Sequence, residues 1–341
     1  MKPKLQDIAS ETGLSIATVS RALQSDKNSI VSLETRERVH QVARSLGYQP
    51  NLIGRSLKTG RSNTISYWTY DAFSPYYAGV AKQLAALGAE RGYAVAINNT
   101  FDAAQLLEAT NAGFDNPFAA HFDGTIACCD VSFANTDFAQ SLRLRRAPWV
   151  GINTSYPSDL DFAGLDFYGG GRQVMKHLME GGCRRIAMLI GDGPTHRYDP
   201  RARAYSEALT EAGLPLEWIG LDKHRRAPAR ERMAAYASEH RALGRALPDA
   251  IFCVNDESAI GCYRGLCDTG VRVPDEVRLV GCDGIEDTAF HACPISTLEM
   301  PVREMCMKAW DFLENRIRER NLPQQHVLFS PQLVVRESSR F

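Results

Sequence analysis

No stretch of the sequence approaches the ~20 consecutive apolar residues needed to cross a bilayer. Its opening residues, MKPKLQDIASETG, have no apolar core and no cleavage site, so neither a membrane span nor a secretory leader is expected. Cysteine is missing from the first 127 positions. Nine follow, an odd number with no CxxC pair, and Cys128 and Cys129 are adjacent, which suits buried strand positions better than a bridge. Reduced, mostly structural thiols in a cytoplasmic protein are the expectation. The common catalytic motifs are also missing: there is no Walker A sequence, no HExxH and no GxSxG. Gly169-Gly170-Gly171 lacks the GxGxxG spacing, and the eight histidines are scattered without metal-like spacing. No enzyme activity, no metal site and no cofactor are expected. Tandem repeats and low-complexity tracts are absent.

What is present is an ordinary globular composition, 44% apolar and 23% charged, over 341 residues, enough for two or three domains. Charge divides the chain at residues 47–61, GYQPNLIGRSLKTGR. Residues 1–61 hold ten Lys/Arg against five Asp/Glu, a formal +5; the whole chain is −1, which leaves −6 for residues 62–341. The near-neutral total therefore hides a basic head on an acidic body. A small basic module suggests a polyanion partner, most simply nucleic acid, with a merely solvated basic face as the alternative.

The head reads as three helices. Leu5, Ile8 and Ala9 sit at helical spacing and Gly13 is a stop that can take φ > 0. Ser15 offers an N-cap for a second helix over 16–24, with Val19 and Leu23 inward. Ser32 caps a third, whose apolar stripe is Val39, Val42, Ala43 and Leu46 before Gly47. Two short helices joined by about three residues cross steeply, as in a helix-turn-helix. The second helix presents Ile16, Ala17, Thr18, Ser20 and Arg21 outward. Short side chains let a helix approach a major groove, and Arg reaches guanine edges.

LQDIASETGLSIATVSRAL, then VSLETRERVHQVARSLGYQPN, then GRSLKTG resemble, in order and without a gap, the head of the lactose-repressor (LacI/GalR) family of bacterial regulators. The resemblance implies that Ile16, Ala17 and Arg21 read bases, that Thr18 and Ser20 face phosphates, and that Val19 is core. It places Asn51 at the start of a hinge helix. It also makes Leu57 a wedge into the minor groove. Ser15 and Arg55 complete the DNA-facing set. Gly54 stands where the family usually has Ala. That exchange costs roughly 1 kcal/mol of helix stability, so the hinge helix is expected to form on DNA alone.

Beyond the joint, strands are expected over 64–71, 93–98, 124–129 and 147–153, with a helix opening at Ser74-Pro75. Strands over 185–191, 250–254 and 277–282 then alternate with helices over 170–181, 202–212 and 258–267. Alternation of this kind implies parallel, doubly wound sheets. Two in succession resemble the periplasmic-binding-protein fold, the sensor core of the same family. The expected architecture is thus an all-α helix-turn-helix head plus an α/β periplasmic-binding-protein-like core. Its boundaries are 1–46 for the head, 47–61 for hinge and linker, 62–163 with 300–328 for the N-subdomain, and 164–299 with 329–341 for the C-subdomain. Residues 328–337 are expected to lie wholly in the second subdomain.

Ligands of open α/β sheets bind at the carboxyl ends of the strands. The strand-end polar groups Asp71, Asp130, Asn153, Asn255, Asp256 and Asp283 would converge on a small polar ligand. The resemblance implies effector contacts from Tyr76, Tyr77, Leu165, Arg201, Asn255 and Asp283, to which the strand-end groups Asp130 and Asn153 are added. Asp256 is equally a candidate helix N-cap, Asp166 a candidate structural residue and Asp283 a candidate turn residue. GDGPTHRYDPRAR, with its arginines and His196, suits either an acidic or phosphorylated ligand or plain solvation. Asp130, Asn153, Asn255 and Asp283 favour a neutral polyol or sugar.

The expectation that follows is a sequence-specific DNA-binding transcriptional regulator, a repressor, under allosteric control by a small polar effector, a sugar or sugar derivative. Its partners would be pseudopalindromic operator DNA and a second copy of the chain, with the tetramer left open and no membrane. The alternative is a sugar-binding protein or sugar-processing enzyme with an accessory head.

Overall fold

A computed structural model describes residues 3–23, 31–49, 60–69, 71–99, 122–128, 148–153, 160–191 and 198–341. The chain forms two units, Met1–Ser62 and Asn63–Phe341.

In the first unit, α1 (Leu5–Thr12), α2 (Ile16–Ala22) and α3 (Leu33–Ser45) pack around Ile8, Ala9, Val19, Ala22, Val39 and Ala43. Local chemistry sets every boundary. Gly13 ends α1 in the left-handed region, φ 68°. Ser15 Oγ accepts the Thr18 amide at 3.1 Å and opens α2, and Ser32 Oγ accepts the Thr35 amide at 3.3 Å and opens α3. Gly47, φ 65°, ends α3, and the Tyr48 amide turns back to the Ala43 carbonyl at 2.8 Å. A cluster this small supplies a marginal core, so these caps, each worth about 1 kcal/mol, are a large share of its stability.

The second unit holds, among the described residues, two six-stranded sheets. The first runs β11-β5-β4-β3-β1-β2, with β1 (Thr64–Thr69), β2 (Ala94–Asn99), β3 (Gly124–Ala127), β4 (Trp149–Asn153), β5 (Asp161–Leu165) and β11 (His326–Phe329), all parallel. The second runs β12-β10-β9-β8-β6-β7, with β6 (Ile186–Gly191), β7 (Glu217–Leu221), β8 (Ala250–Cys253), β9 (Arg278–Asp283), β10 (Ser296–Glu299) and β12 (Gln332–Val334). There β12 alone is antiparallel. The helices are α4 (Pro75–Glu90), α5 (Phe167–Glu180), α6 (Pro200–Glu211), α7 (Arg226–Ala242), α8 (Asp256–Asp268) and α9 (Val302–Arg318). Strands such as IAMLIG and AIFC are apolar almost throughout because helices cover both faces of a parallel sheet.

Several elements depart from the sequence-based expectation. The strands β5, β7, β10 and β11 and the helix α7 were not anticipated. In α7 the apolar stripe is Ala229, Met233, Tyr236 and Ala237, small and interleaved with charge. It lies flush on α8 because a Cβ at Gly261 would stand 2.2 Å from the Arg226 carbonyl oxygen. The crossings are also displaced from the expected boundaries. Gly164 and Leu165 belong to β5 of the first sheet, and Leu328 and Phe329, which pair with them, belong to β11 of the same sheet. The chain therefore changes sheet after Leu165, between Glu299 and Val302, and between Phe329 and Gln332. Hydrogen bonding across the sheet edge decides these positions, and periodicity cannot show it.

The returning helix α9 is held to the first subdomain by Trp310, fully buried, whose Nε1 donates to the Leu84 carbonyl at 3.1 Å. At its end, Arg316 Nε and Nη2 donate to the two oxygens of Asp161 at 2.8 and 2.7 Å. The other guanidinium N–H groups go to the carbonyls of Arg320, Leu322 and Pro323. Asp161 also accepts the Gln325 amide at 2.8 Å. This buried pair is fully hydrogen-bonded, the condition under which mutual attraction offsets desolvation. Asp161→Ala strands the guanidinium and should destabilise the core by about 3–5 kcal/mol, measured by urea unfolding; a loss below about 1 kcal/mol would mean the pair behaves as a surface contact.

Candidate functional site

The recognition face of the head is built by the caps just described. With Val19 and Ala22 fully buried, helical geometry turns Ser15, Ile16, Ala17 and Arg21 to solvent and leaves Thr18 and Ser20 half-buried. Ile16 is 48% exposed, a large aliphatic side chain held away from the core it could have joined. Asn51, Gly54, Arg55 and Leu57 lie outside the described residues.

In the core, the carboxyl ends of the parallel strands carry the candidate effector residues. On the first sheet, Asn153 ends β4 and Leu165 ends β5, while Cys128 follows β3. Tyr76 and Tyr77 stand in the first turn of α4. The Tyr76 hydroxyl donates to Asn153 Oδ1 at 2.6 Å, and the two tyrosine rings meet edge to face at 5.3 Å. The Cys128 thiol is bonded with Tyr77 and Asn153, and burial pushes it up to about 12, so it stays protonated. Leu165 is buried in the hydrophobic core. Asp130 and His196 lie outside the described residues.

On the second sheet, Asp283 ends β9, Gly191 ends β6 and Asn255 follows β8. Arg201 sits in the first turn of α6, with Nε and Nη2 on the two Asp199 oxygens at 3.0 and 2.7 Å. Its Nη1 donates to the Val254 carbonyl at 2.7 Å and reaches Cys282 Sγ at 3.6 Å. Its Cζ lies 4.7 Å from the Phe167 ring centroid. Burial works against both charges of the pair, and their mutual attraction outweighs it: Asp199 is held below the ordinary carboxylate range and Arg201 well above the ordinary guanidinium value.

The two subdomains face each other at these ends. Tyr76, Tyr77 and Cys128 are raised by burial first, and Asp283 on the opposing sheet adds to all three; burial, then Asp256, raises Asp283 itself well above the ordinary carboxylate range. Arg225, before α7, forms an ion pair with Asp71, after β1. His224 lies over Gly191, where a Cβ would come within 3.0 Å of its Nε2; burial, then the charge of Arg201, lowers it, which keeps it neutral. Asn153 (φ 73°) and Asp283 (φ 131°) both have backbone conformations that L residues rarely adopt. Such strain costs about 1–3 kcal/mol per residue and collects where function demands a geometry.

Sequence reasoning missed Asp199, His224, Cys128 and the Asp71–Arg225 pairing. Asp199 carried a local signal, an acidic residue directly before Pro200 at a helix start; the others had none. The N-cap falls one residue from the expected position. Asn255 Oδ1 accepts the Ser258 amide at 2.9 Å, whereas Asp256 is fully buried and accepts Thr297 Oγ1 at 2.7 Å and the Ile285 amide at 2.9 Å. Asp166 is the N-cap of α5, accepting the Gly169 amide at 2.8 Å.

Both units match known families. Residues 4–51 match the model of bacterial regulatory proteins of the lacI family, and residues 175–339 match the periplasmic binding protein-like domain. The HTH-type transcriptional regulator DegA of Bacillus subtilis is 27% identical, over 99% of this chain and 98% of its own. The chain belongs to the LacI family of DNA-binding transcriptional regulators. The helix-turn-helix and two-sheet architecture is that of the family. A cellobiose complex of the transcriptional regulator CelR shares 25% identity and a TM-score of 0.67, covering 99% of this chain and 100% of that one. The Lac repressor dimer bound to operator and the anti-inducer ONPF is 21% identical, with a TM-score of 0.80 over 99% of each chain. No helix among the described residues of this LacI-family regulator is long and apolar enough to cross a membrane.

Asp256 gives the core a pH signature. Burial pushes its carboxyl up to about 6, against the bonds from Thr297 and Ile285; an unfolded Asp titrates near ~3.9. Above pH ~6 the native state holds a buried anion. As pH falls from about 6 towards ~4, the native carboxyl binds its proton before the unfolded one does, and the native state gains stability. Wild type should therefore gain on the order of 1 kcal/mol relative to Asp256→Asn between about pH 7 and pH 5, measured by urea unfolding at each pH. Parallel stability curves for the two proteins would contradict a raised Asp256.

Proposed function

We propose that this regulator is a repressor that binds a pseudopalindromic operator as a homodimer and is switched by a small polar effector, a sugar or sugar derivative, in the core cleft. One observation carries the reading. Polar strand-end groups from both parallel sheets, Asn153 and Asp283 among them in strained conformations, face one another where open α/β sheets bind ligands. The cellobiose-bound CelR structure is consistent with a sugar in such a site.

Ile16, Ala17 and Arg21 read bases, and Ser15, Thr18 and Ser20 meet phosphates. Asn51, Arg55 and Leu57 act through the hinge. One head makes too few contacts for useful specificity, and two on a two-fold axis read the two halves of a pseudopalindrome. In the cleft, Tyr76, Tyr77 and Leu165 form a partly apolar wall, while Asp130, Asn153, Arg201, Asn255 and Asp283 supply polar contacts. The effector biases the angle between subdomains, and coupling to DNA is bounded by its differential affinity for the two states, typically ~1–3 kcal/mol. The protein works in the cytoplasm, where its DNA is, and carries out no catalysis.

The test begins with selection of a binding sequence from randomised duplexes, followed by fluorescence anisotropy. Arg21→Ala should weaken the selected site by about 1–3 kcal/mol, roughly fivefold to 150-fold, and relax preference at one base position per half-site. Affinity should fall steeply with salt in both proteins. An equal loss on every sequence would make Arg21 a phosphate contact, and failure to bind any pseudopalindrome at low salt would sink the regulator reading.

A further inference from the structure

An arginine at a cleft mouth is ordinarily an anion receptor, because its planar fork matches phosphate and carboxylate. Arg201 is not available in that form. Its Nε and Nη2 lie against both oxygens of Asp199, and the Asp199 carboxylate is itself fixed, since Oδ1 also accepts the Arg201 amide at 2.8 Å. The two Nη1 hydrogens point to Val254 O and Cys282 Sγ. Of the five N–H groups of a guanidinium, the described residues engage four, which leaves one on Nη2. The face of the group is stacked on Phe167.

The other charges at the cleft follow the same rule. Arg225 is matched by Asp71 from the facing subdomain. His224 is lowered by burial and by Arg201, so it adds no positive charge at neutral pH. Asp283 presents a carboxyl group that burial, then the neighbouring Asp256, raises well above the ordinary carboxylate range, so it exchanges hydrogen bonds with hydroxyls and adds no positive charge. The described residues thus offer paired guanidinium groups, one spare N–H, a carboxyl acceptor and two tyrosines, with no excess of positive charge.

We propose that the cleft takes an uncharged polyhydroxylated ligand, a free sugar or polyol, and that Asp199 is a specificity-determining residue that excludes phosphorylated and acidic sugars by neutralising Arg201. This rests on the effector reading above. A hydroxyl or ring oxygen accepts the remaining Nη2 N–H, and sugar hydroxyls donate to Asp283. A phosphate would have to compete with Asp199 for the fork. With both side chains only partly exposed, removing the negative member leaves an uncompensated charge, so Asp199→Asn turns Arg201 into an anion site.

The full-length chain tests this by thermal shift and intrinsic fluorescence, titrated at constant ionic strength with inorganic phosphate, glucose 6-phosphate and cellobiose. A ligand of the native state raises the melting temperature by mass action. Wild type should show no phosphate or glucose 6-phosphate binding that depends on Arg201. Asp199→Asn should bind phosphate at least about tenfold more tightly than wild type, and Asp199→Asn/Arg201→Gln should lose that gain. Two results would overturn the proposal: phosphate or glucose 6-phosphate stabilising wild type but not Arg201→Gln, or folded Asp199→Asn gaining no anion affinity. Should Asp199→Asn fail to fold, the wild-type and Arg201→Gln comparison decides alone. Anisotropy on the selected duplex separates the two levels. Normal DNA binding with anion uptake by wild type contradicts only the charge assignment, whereas absent DNA binding contradicts the regulator reading.

Discussion

Three short chain crossings set what the core can do. The polypeptide passes between the sheets after Leu165, between Glu299 and Val302, and between Phe329 and Gln332, along neighbouring strands of each sheet. The Asp166 amide donates to the Phe329 carbonyl at 2.8 Å, which ties the first crossing to the third. Gln173 on α5 bonds the Pro331 carbonyl at 3.0 Å just beyond it. Both sheets are joined through a few residues, the kind of connection about which domains hinge.

Forces across the cleft are accordingly small, and those within each layer are large. The Asp71–Arg225 pair spans the opening with its arginine about half exposed, and such pairs contribute about 0–1 kcal/mol. That is no more than the ~1–3 kcal/mol typical of coupling between two sites. The Asp161–Arg316 pair, buried and saturated with hydrogen bonds, instead fixes the end of α9 to the start of β5 inside one layer. Strain at Asn153 and Asp283 is tolerated because the strands that carry them are buried on both faces and held by neighbours.

Much of the head could be read from sequence because its signals are local. Gly13, Ser15, Ser32 and Gly47 act within four residues of where they stand, and the structure puts each where its chemistry requires. The longer apolar strands and the helix opening at Pro75 were legible for the same reason. The short strands β5 and β10 were not, because four or five residues of mixed composition become strands only beside a partner. The helix α7 was hidden by small alanines whose value lies in fitting against Gly261 and Gly265 of α8. Asn255 and Asp256 illustrate the limit most clearly. Either residue type can cap a helix; which one does, and which drops beneath to bond Thr297 of β10, depends on a strand some forty residues later.

The sequence by itself determined the basic head, the order of most helices and strands, and the exposed face of α2. Each of these rests on periodicity, capping or charge, which act between near neighbours. Only the tertiary structure decided where the chain changes sheet and which carboxylate meets which guanidinium. Arg201 read alone suggests an anion; Arg201 held by Asp199, Val254 O and Cys282 Sγ does not. A charge acts through its separation from every other charge, and those separations exist only once β8, β9 and α6 have come together.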